Sequence, residues 1–142
     1  MSKIQEWIFN SEAETIEWAK EYASSFHVGD AVALLGTLGA GKTFMVSAFC
    51  KALGYKGAVH SPSYALVNEY EYNPPLIHMD LYRLPDGADL EEIGVEYYRF
   101  SESICFIEWP ERLGALNLKF NKVIQIDVLS ENSRKVSVIE IA

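Results

Sequence analysis

The residues most able to do chemistry in this chain are Gly36-Thr37-Leu38-Gly39-Ala40-Gly41-Lys42-Thr43, which fit the pattern G-x-x-x-x-G-K-[ST]. Each fixed type has a physical task. Glycines let successive backbone N–H groups turn toward one point and form an anion nest. A helix beginning near Lys42 adds the positive end of its dipole. The Lys42 ammonium can reach the β- and γ-phosphates of a nucleoside triphosphate, and the Thr43 hydroxyl can ligate Mg²⁺. The same letters also occur by chance in glycine-rich surface turns, but such a turn leaves Lys42-Thr43 unexplained. The flanking context favours the phosphate site: an apolar run before the loop and a helical pattern after it. ATP and Mg²⁺ are the expected ligands. The candidate nucleotide-holding residues are Gly36, Leu38, Gly39, Ala40, Gly41, Lys42 and Thr43, with Phe44 just behind them.

A phosphate loop needs an acidic residue at the end of a neighbouring strand to hold its metal. Two carboxylates qualify. Glu108 follows Ile104-Cys105-Phe106-Ile107, four apolar residues and then an acid, the form of a Walker B strand. Asp80 lies in Ile77-His78-Met79-Asp80-Leu81-Tyr82, where strand alternation puts His78, Asp80 and Tyr82 on one face. Thr43 and Glu108 are assigned to Mg²⁺, directly or through water. Asp80 then stands near the γ-phosphate, where it positions the attacking water or contacts the metal shell. Lys42, Asp80 and Glu108 are thus the candidate catalytic residues. The bland alternative makes one of the two carboxylates a strand-end surface charge.

Four further positions stay open between two readings. His78 orients a group or relays a proton, or it is an ordinary hydrogen-bonded, half-buried residue. Arg83 is a catalytic cation or, preferably, a salt-bridge partner within the sheet. Trp109, directly after Glu108, covers the site or anchors a partner, or it simply packs at a strand end. Ser61-Pro62-Ser63-Tyr64 is a switch-like segment sensing the γ-phosphate, or a plain turn.

The elements that must hold these groups follow from periodicity. Ile4 to Phe9 reads as a strand. Ser11-Glu12-Ala13-Glu14 has capping-box spacing, and Ile16, Ala19, Tyr22, Ala23 and Phe26 continue at helical spacing, so a helix is expected over 12–26. Ala31 to Leu35 is apolar throughout, as a strand buried on both faces of a parallel sheet must be. A helix over Phe44 to Leu53 should end at Gly54. Tyr64 to Tyr72 and Leu76 to Tyr82 read as two strands about the break Asn73-Pro74-Pro75. Ala88 to Phe100 has helical content interrupted at Gly94, Ser103 to Ile107 is a strand, and Pro110 to Leu113 starts a short helix. Lys122 to Leu129 and Lys135 to Ile141 alternate about Ser130-Glu131-Asn132-Ser133, a second hairpin. The expected fold is α/β: a three-layer P-loop NTPase-like domain whose central sheet is mixed and largely parallel, with antiparallel hairpins.

Composition sets outer bounds. The chain has 142 residues, fitting one domain over 1–142, and 49% of them are hydrophobic, enough for a core. The formal net charge of -8 counts against broad independent binding to nucleic acid, which needs a cationic surface. Cys50 and Cys105 sit in apolar stretches without metal-ligand spacing, as buried thiols of a reducing compartment do. The first residues carry no apolar signal region and no run of apolar residues reaches membrane-spanning length, so a cytoplasmic protein without membrane contact is expected.

Taken in order, GTLGAGKT (36–43), HSPSYALVNEY (60–70), HMDLYRL (78–84), Glu91-Glu92-Ile93-Gly94 and FIEWPERL (106–113) resemble the bacterial TsaE family. The resemblance runs from the Ser11 helix to the last hairpin. H-x-D-L-Y-R-L with E-W-P-E after a phosphate loop is far more specific than the loop alone. It implies an ATPase of tRNA threonylcarbamoyladenosine biosynthesis that supports TsaD and TsaB. That pair transfers a threonylcarbamoyl group to the adenosine next to the anticodon, so tRNA is met indirectly, through the complex. It implies phosphate binding by Gly39, Ala40, Gly41, Lys42 and Thr43, Mg²⁺ on Thr43 and Glu108, catalysis by Asp80, and Trp109 beside the site. It also places Ser11 and Thr15 of the first helix, with Arg134 of the last hairpin, by the nucleoside. Three positions depart from the family pattern: Thr37 where an acid is common, Phe44 for a small hydroxyl residue, and Ser63-Tyr64 for Thr-Phe. None removes a phosphate or metal ligand.

Two rival functions use the same loop. A small-molecule kinase needs an arginine-bearing lid to exclude water, whereas Asp86 to Phe100 is acidic and holds only Arg99. A nucleotide-sensing module without turnover leaves Asp80 unexplained.

Overall fold

The computed structural model describes residues 2–62, 66–84, 100–113 and 120–141. Strands β1 (Ser2–Phe9), β2 (Ala31–Leu35), β3 (Val67–Tyr70), β4 (Leu76–Asp80), β5 (Ile104–Glu108), β6 (Lys122–Val128) and β7 (Arg134–Ile141) form one sheet. Their order is β1-β7-β6-β2-β5-β4-β3. The inner four, β6-β2-β5-β4, run parallel, and β1, β7 and β3 add antiparallel edges. This is the mixed α/β architecture expected from the sequence, with both hairpins in place.

Helices α1 (Glu12–Tyr22) and α2 (Lys42–Leu53) lie on one face, over a core that includes Val32, Leu34, Phe49, Leu76, Phe106, Ile124 and Val136. Alternation sends Ile77, Met79, Cys105 and Ile107 to a second core on the opposite face, where Phe100, Trp109 and Phe120 pack. The helix expected within 88–99, the kinase-lid argument over that stretch and the Ser63-Tyr64 departure fall outside the described residues. Both thiols are free and buried, and burial pushes that of Cys50 up to about 12.

Local chemistry explains the boundaries. Ser11 Oγ accepts the Glu14 N–H (3.2 Å) and Glu14 Oε2 accepts the Asn10 N–H (3.0 Å), a reciprocal cap for α1. The helix stops at Tyr22, four residues short of the expected end, and passes into a 3-10 turn over Ala23–Ser25. Ser24 and Ser25 hydroxyls donate to the Glu21 and Tyr22 carbonyls at 2.7 Å, competing with backbone amides for those acceptors. Strand β3 begins at Val67, because Leu66 takes a left-handed φ of 65° that breaks extended pairing. Pro110–Leu113 is also a 3-10 turn, and Arg83 is exposed in the turn after β4 rather than set within the sheet.

What fixes α2, and with it the phosphate loop, is Phe49. This fully buried ring lies 4.9 Å from Phe26, 5.8 Å from Trp18 and 5.9 Å from Phe106 of β5 (centroid distances). It therefore joins both helices to the sheet. Phe49→Ala is expected to lower stability by about 3–5 kcal/mol, read as a reduced urea midpoint with the slope unchanged.

Candidate nucleotide site

The phosphate loop is the connection from β2 to α2. Its glycines stand where other residues fit badly. A Cβ on Gly36 would meet the Ile126 carbonyl oxygen at 2.8 Å, so the loop runs against β6 with no room for a side chain. Gly39 and Gly41 have φ of 82° and 107°, left-handed values that a Cβ disfavours. Gly41 is the N-cap of α2 with no side-chain cap, which leaves the first N–H groups of the helix directed at the loop's hollow. Lys42 is the first helical residue and Thr43 the second, so the helix begins near Lys42 as expected.

Lys42 is buried. Its ammonium donates to the Gly36 carbonyl at 2.6 Å and sits 3.5 Å from the centre of the Trp109 ring. Burial pushes its pKa below the ordinary lysine value, while Glu108, Glu111 and Asp80 act in the opposite direction. Trp109 has a left-handed φ of 58° immediately before Pro110, a strained backbone for a bulky residue. That conformation turns the indole from the end of β5 over Lys42, a cation–π contact.

The two acids come together as expected. Asp80 and Glu108 are register partners at the ends of β4 and β5, and alternation turns both toward α2. The Thr43 hydroxyl donates to Glu108 Oε2 at 2.8 Å and reaches Oε1 at 3.1 Å. Asp80 Oδ2 accepts the Ser61 hydroxyl (3.0 Å), and Oδ1 accepts the Tyr82 N–H (3.1 Å). A cavity of about 290 Å³ is lined by Lys42, Thr43, Asp80, Glu108 and Trp109, with Leu38 at its rim. Thr43 and Glu108 offer hydroxyl and carboxylate oxygens, the hard donors that suit Mg²⁺, and too few to saturate it without phosphate and water. The residues fit that ion.

A second cavity, of about 220 Å³, opens on the other side of the loop. Gly39, Gly41 and Phe44 line both cavities. Ser11, Thr15 and Arg134 all line the second cavity, together with Ala40. Thr15 is itself buried, with its hydroxyl 3.4 Å from the Ser11 carbonyl.

Arg134 has work that its position in the sequence does not reveal. Its Nε donates to the Ala40 carbonyl at 3.0 Å, and Nη1 reaches the Ser130, Glu131 and Ser133 carbonyls at 2.9, 3.2 and 3.1 Å. It clamps the phosphate loop to the β6–β7 turn while lining the cavity. Arg134→Met should lower stability by about 1.5–3 kcal/mol and weaken nucleotide binding. Chemical denaturation with and without nucleotide checks both.

A family model described as "Threonylcarbamoyl adenosine biosynthesis protein TsaE" matches residues 9–137. A tRNA threonylcarbamoyladenosine biosynthesis protein TsaE from Aquifex aeolicus is 42% identical over 141 residues, covering 97% of this chain and 98% of its own. The chain belongs to the TsaE family. The TsaE of Treponema pallidum is 30% identical over 92% of the chain and 97% of its own length, and that of Bacillus subtilis is 36% identical over 75% and 67%. The crystal structure of Bacillus subtilis YdiB superposes with a TM-score of 0.77 at 27% identity, covering 100% of this chain and 88% of that one. The TsaE resemblance drawn from the motifs is therefore correct, and so is the α/β fold read from the periodicity. Among the described residues, no helix is long and apolar enough to cross a membrane.

Proposed function

We propose that this chain binds ATP with Mg²⁺ and hydrolyses it in the cytoplasm, in support of threonylcarbamoyl transfer to tRNA by TsaD and TsaB. The observation that carries this is the pairing of the Thr43 hydroxyl with Glu108 at 2.8 Å beneath the phosphate loop, with Asp80 one strand away. A structural glycine turn has no use for that arrangement. Membership of the TsaE family supplies the pathway.

In this mechanism the adenosine occupies the cavity at Ser11, Thr15 and Arg134, and the phosphates lie over Gly39 to Thr43. Lys42 exchanges the Gly36 carbonyl for phosphate oxygens, and its indole neighbour keeps water from the ammonium. Thr43 and Glu108 would hold Mg²⁺, which would supply charge neutralisation at the phosphate oxygens. Among the described residues each Asp80 carboxylate oxygen accepts one hydrogen bond, from Ser61 or Tyr82, and its second lone pair would orient the attacking water. The net charge of -8 is consistent with tRNA being held by the partners.

The test is phosphate release from ATP by the chain alone and with TsaD and TsaB, scored beside threonylcarbamoyladenosine formation in tRNA. Mg²⁺-dependent release that rises with the partners is expected. Full modification without any ATP cleavage contradicts the proposal.

A further inference from the structure

Behind Glu108 stands a buried chain of polar groups that none of the assigned roles uses. His78 of β4 has no exposed surface, and its Nε2 lies 2.6 Å from Glu108 Oε2. On the ring's other side, Nδ1 lies 3.0 Å from the hydroxyl of buried Tyr70 in β3. The same hydroxyl is 3.3 Å from the His60 carbonyl, which also accepts the Asn68 amide at 3.2 Å. Ser61, the next residue, holds Asp80.

The proton positions follow from the acceptors. An ionised carboxylate only accepts, so Nε2 carries a hydrogen and donates it to Glu108. In the neutral ring Nδ1 then accepts, and the Tyr70 hydroxyl donates to it. The imidazole is held from both ends, and its plane and tautomer are fixed. Glu108 is itself only 3% exposed and His78 is wholly buried, so on that side the carboxylate has no solvent in place of the donor.

We infer that His78, itself fixed by Tyr70, is a positioning residue that aims the Glu108 carboxylate at the metal position. It does not touch nucleotide. Ligand carboxylates and imidazoles are oriented by hydrogen-bonded partners behind them, and loss of such a partner typically weakens metal affinity about 10–100-fold. The inference rests on the Mg²⁺–ATP reading above. Asp80, the other acid of the site, is held separately, by the Ser61 hydroxyl.

The test is a titration of Mn²⁺, as a paramagnetic stand-in for Mg²⁺, into the chain saturated with ADP, read by electron paramagnetic resonance. ADP affinity without metal is measured in parallel. His78→Leu removes the donor and should raise the half-saturating Mn²⁺ about 10–100-fold, with metal-free ADP affinity unchanged. His78→Gln keeps an amide N–H near the Nε2 position and should recover most of the loss. Tyr70→Phe should shift Mn²⁺ binding in the same direction by a smaller factor, and it carries the test if His78→Leu does not fold. Failure of the wild-type chain to bind Mn²⁺ with ADP sinks the nucleotide reading itself. Wild-type binding with the same Mn²⁺ titration in the folded variants overturns the positioning role alone. So does equal weakening of ADP with and without metal.

Discussion

Lys42→Ala is expected to slow phosphate release about 10²–10³-fold while the chain remains folded. The ammonium is the only cationic side chain described in the cavity with Thr43, Asp80 and Glu108. It is buried and held by the Gly36 carbonyl and the Trp109 ring, so it stands in place before nucleotide arrives. A charge already held beside the loop stabilises developing phosphate charge with only the exchange of the Gly36 carbonyl for phosphate oxygens. Alanine leaves the ring and the loop glycines where they are. Single-turnover phosphate release reads the loss, and circular dichroism with a urea midpoint checks the fold. Wild-type turnover in this variant would remove the phosphate loop from the mechanism.

The second large effect is expected at Glu108. Glu108→Gln changes charge with almost no change in shape. The amide oxygen still accepts from Thr43 and His78, so the hydrogen bonds at 2.8 and 2.6 Å have an acceptor in the variant. Losing a buried charge relieves desolvation, and stability without ligand should stay within about 1 kcal/mol of wild type or rise. Metal binding should suffer far more. A direct carboxylate ligand contributes more than the groups behind it, so the half-saturating Mg²⁺ for phosphate release should rise at least about 100-fold. The split between intact stability and lost metal response separates a ligand from a structural acid. Unchanged Mg²⁺ dependence would return Glu108 to the role of a buried strand end.

The contrast between what was legible in the sequence and what was not follows the range of the interactions. The phosphate loop, the apolar run of β2 and the Ile104–Glu108 strand are local patterns whose spacing dictates their geometry, and each stands where it was expected. The β6–β7 alternation pinned its own register. The placement of Ser11, Thr15 and Arg134 on one cavity came from family resemblance, since no local signal joins residues so far apart in the chain. Arg134's clamp on Ala40 needs the β6–β7 turn to fold back on the loop, which spacing cannot show. The reading of His78 stayed open because its partners, Tyr70 and Glu108, lie on strands to either side, and only the strand order brings them together. The Asp30 carboxylate accepts the Asn121 amide at 2.7 Å while Asn121 Oδ1 accepts the Ala31 N–H, a link across about 90 residues that sets the start of β2 and that no local spacing shows. The early end of α1 has a local cause, two serine hydroxyls competing for helix carbonyls.

The most direct measurement is a calorimetric titration of ATP into the purified chain, once with Mg²⁺ and once with a chelator. Saturable binding at one site per chain, tightened by Mg²⁺ and lost in Lys42→Ala, is the predicted result. No saturable heat with either solution, or binding indifferent to both the metal and Lys42, would contradict an ATP site built on this loop.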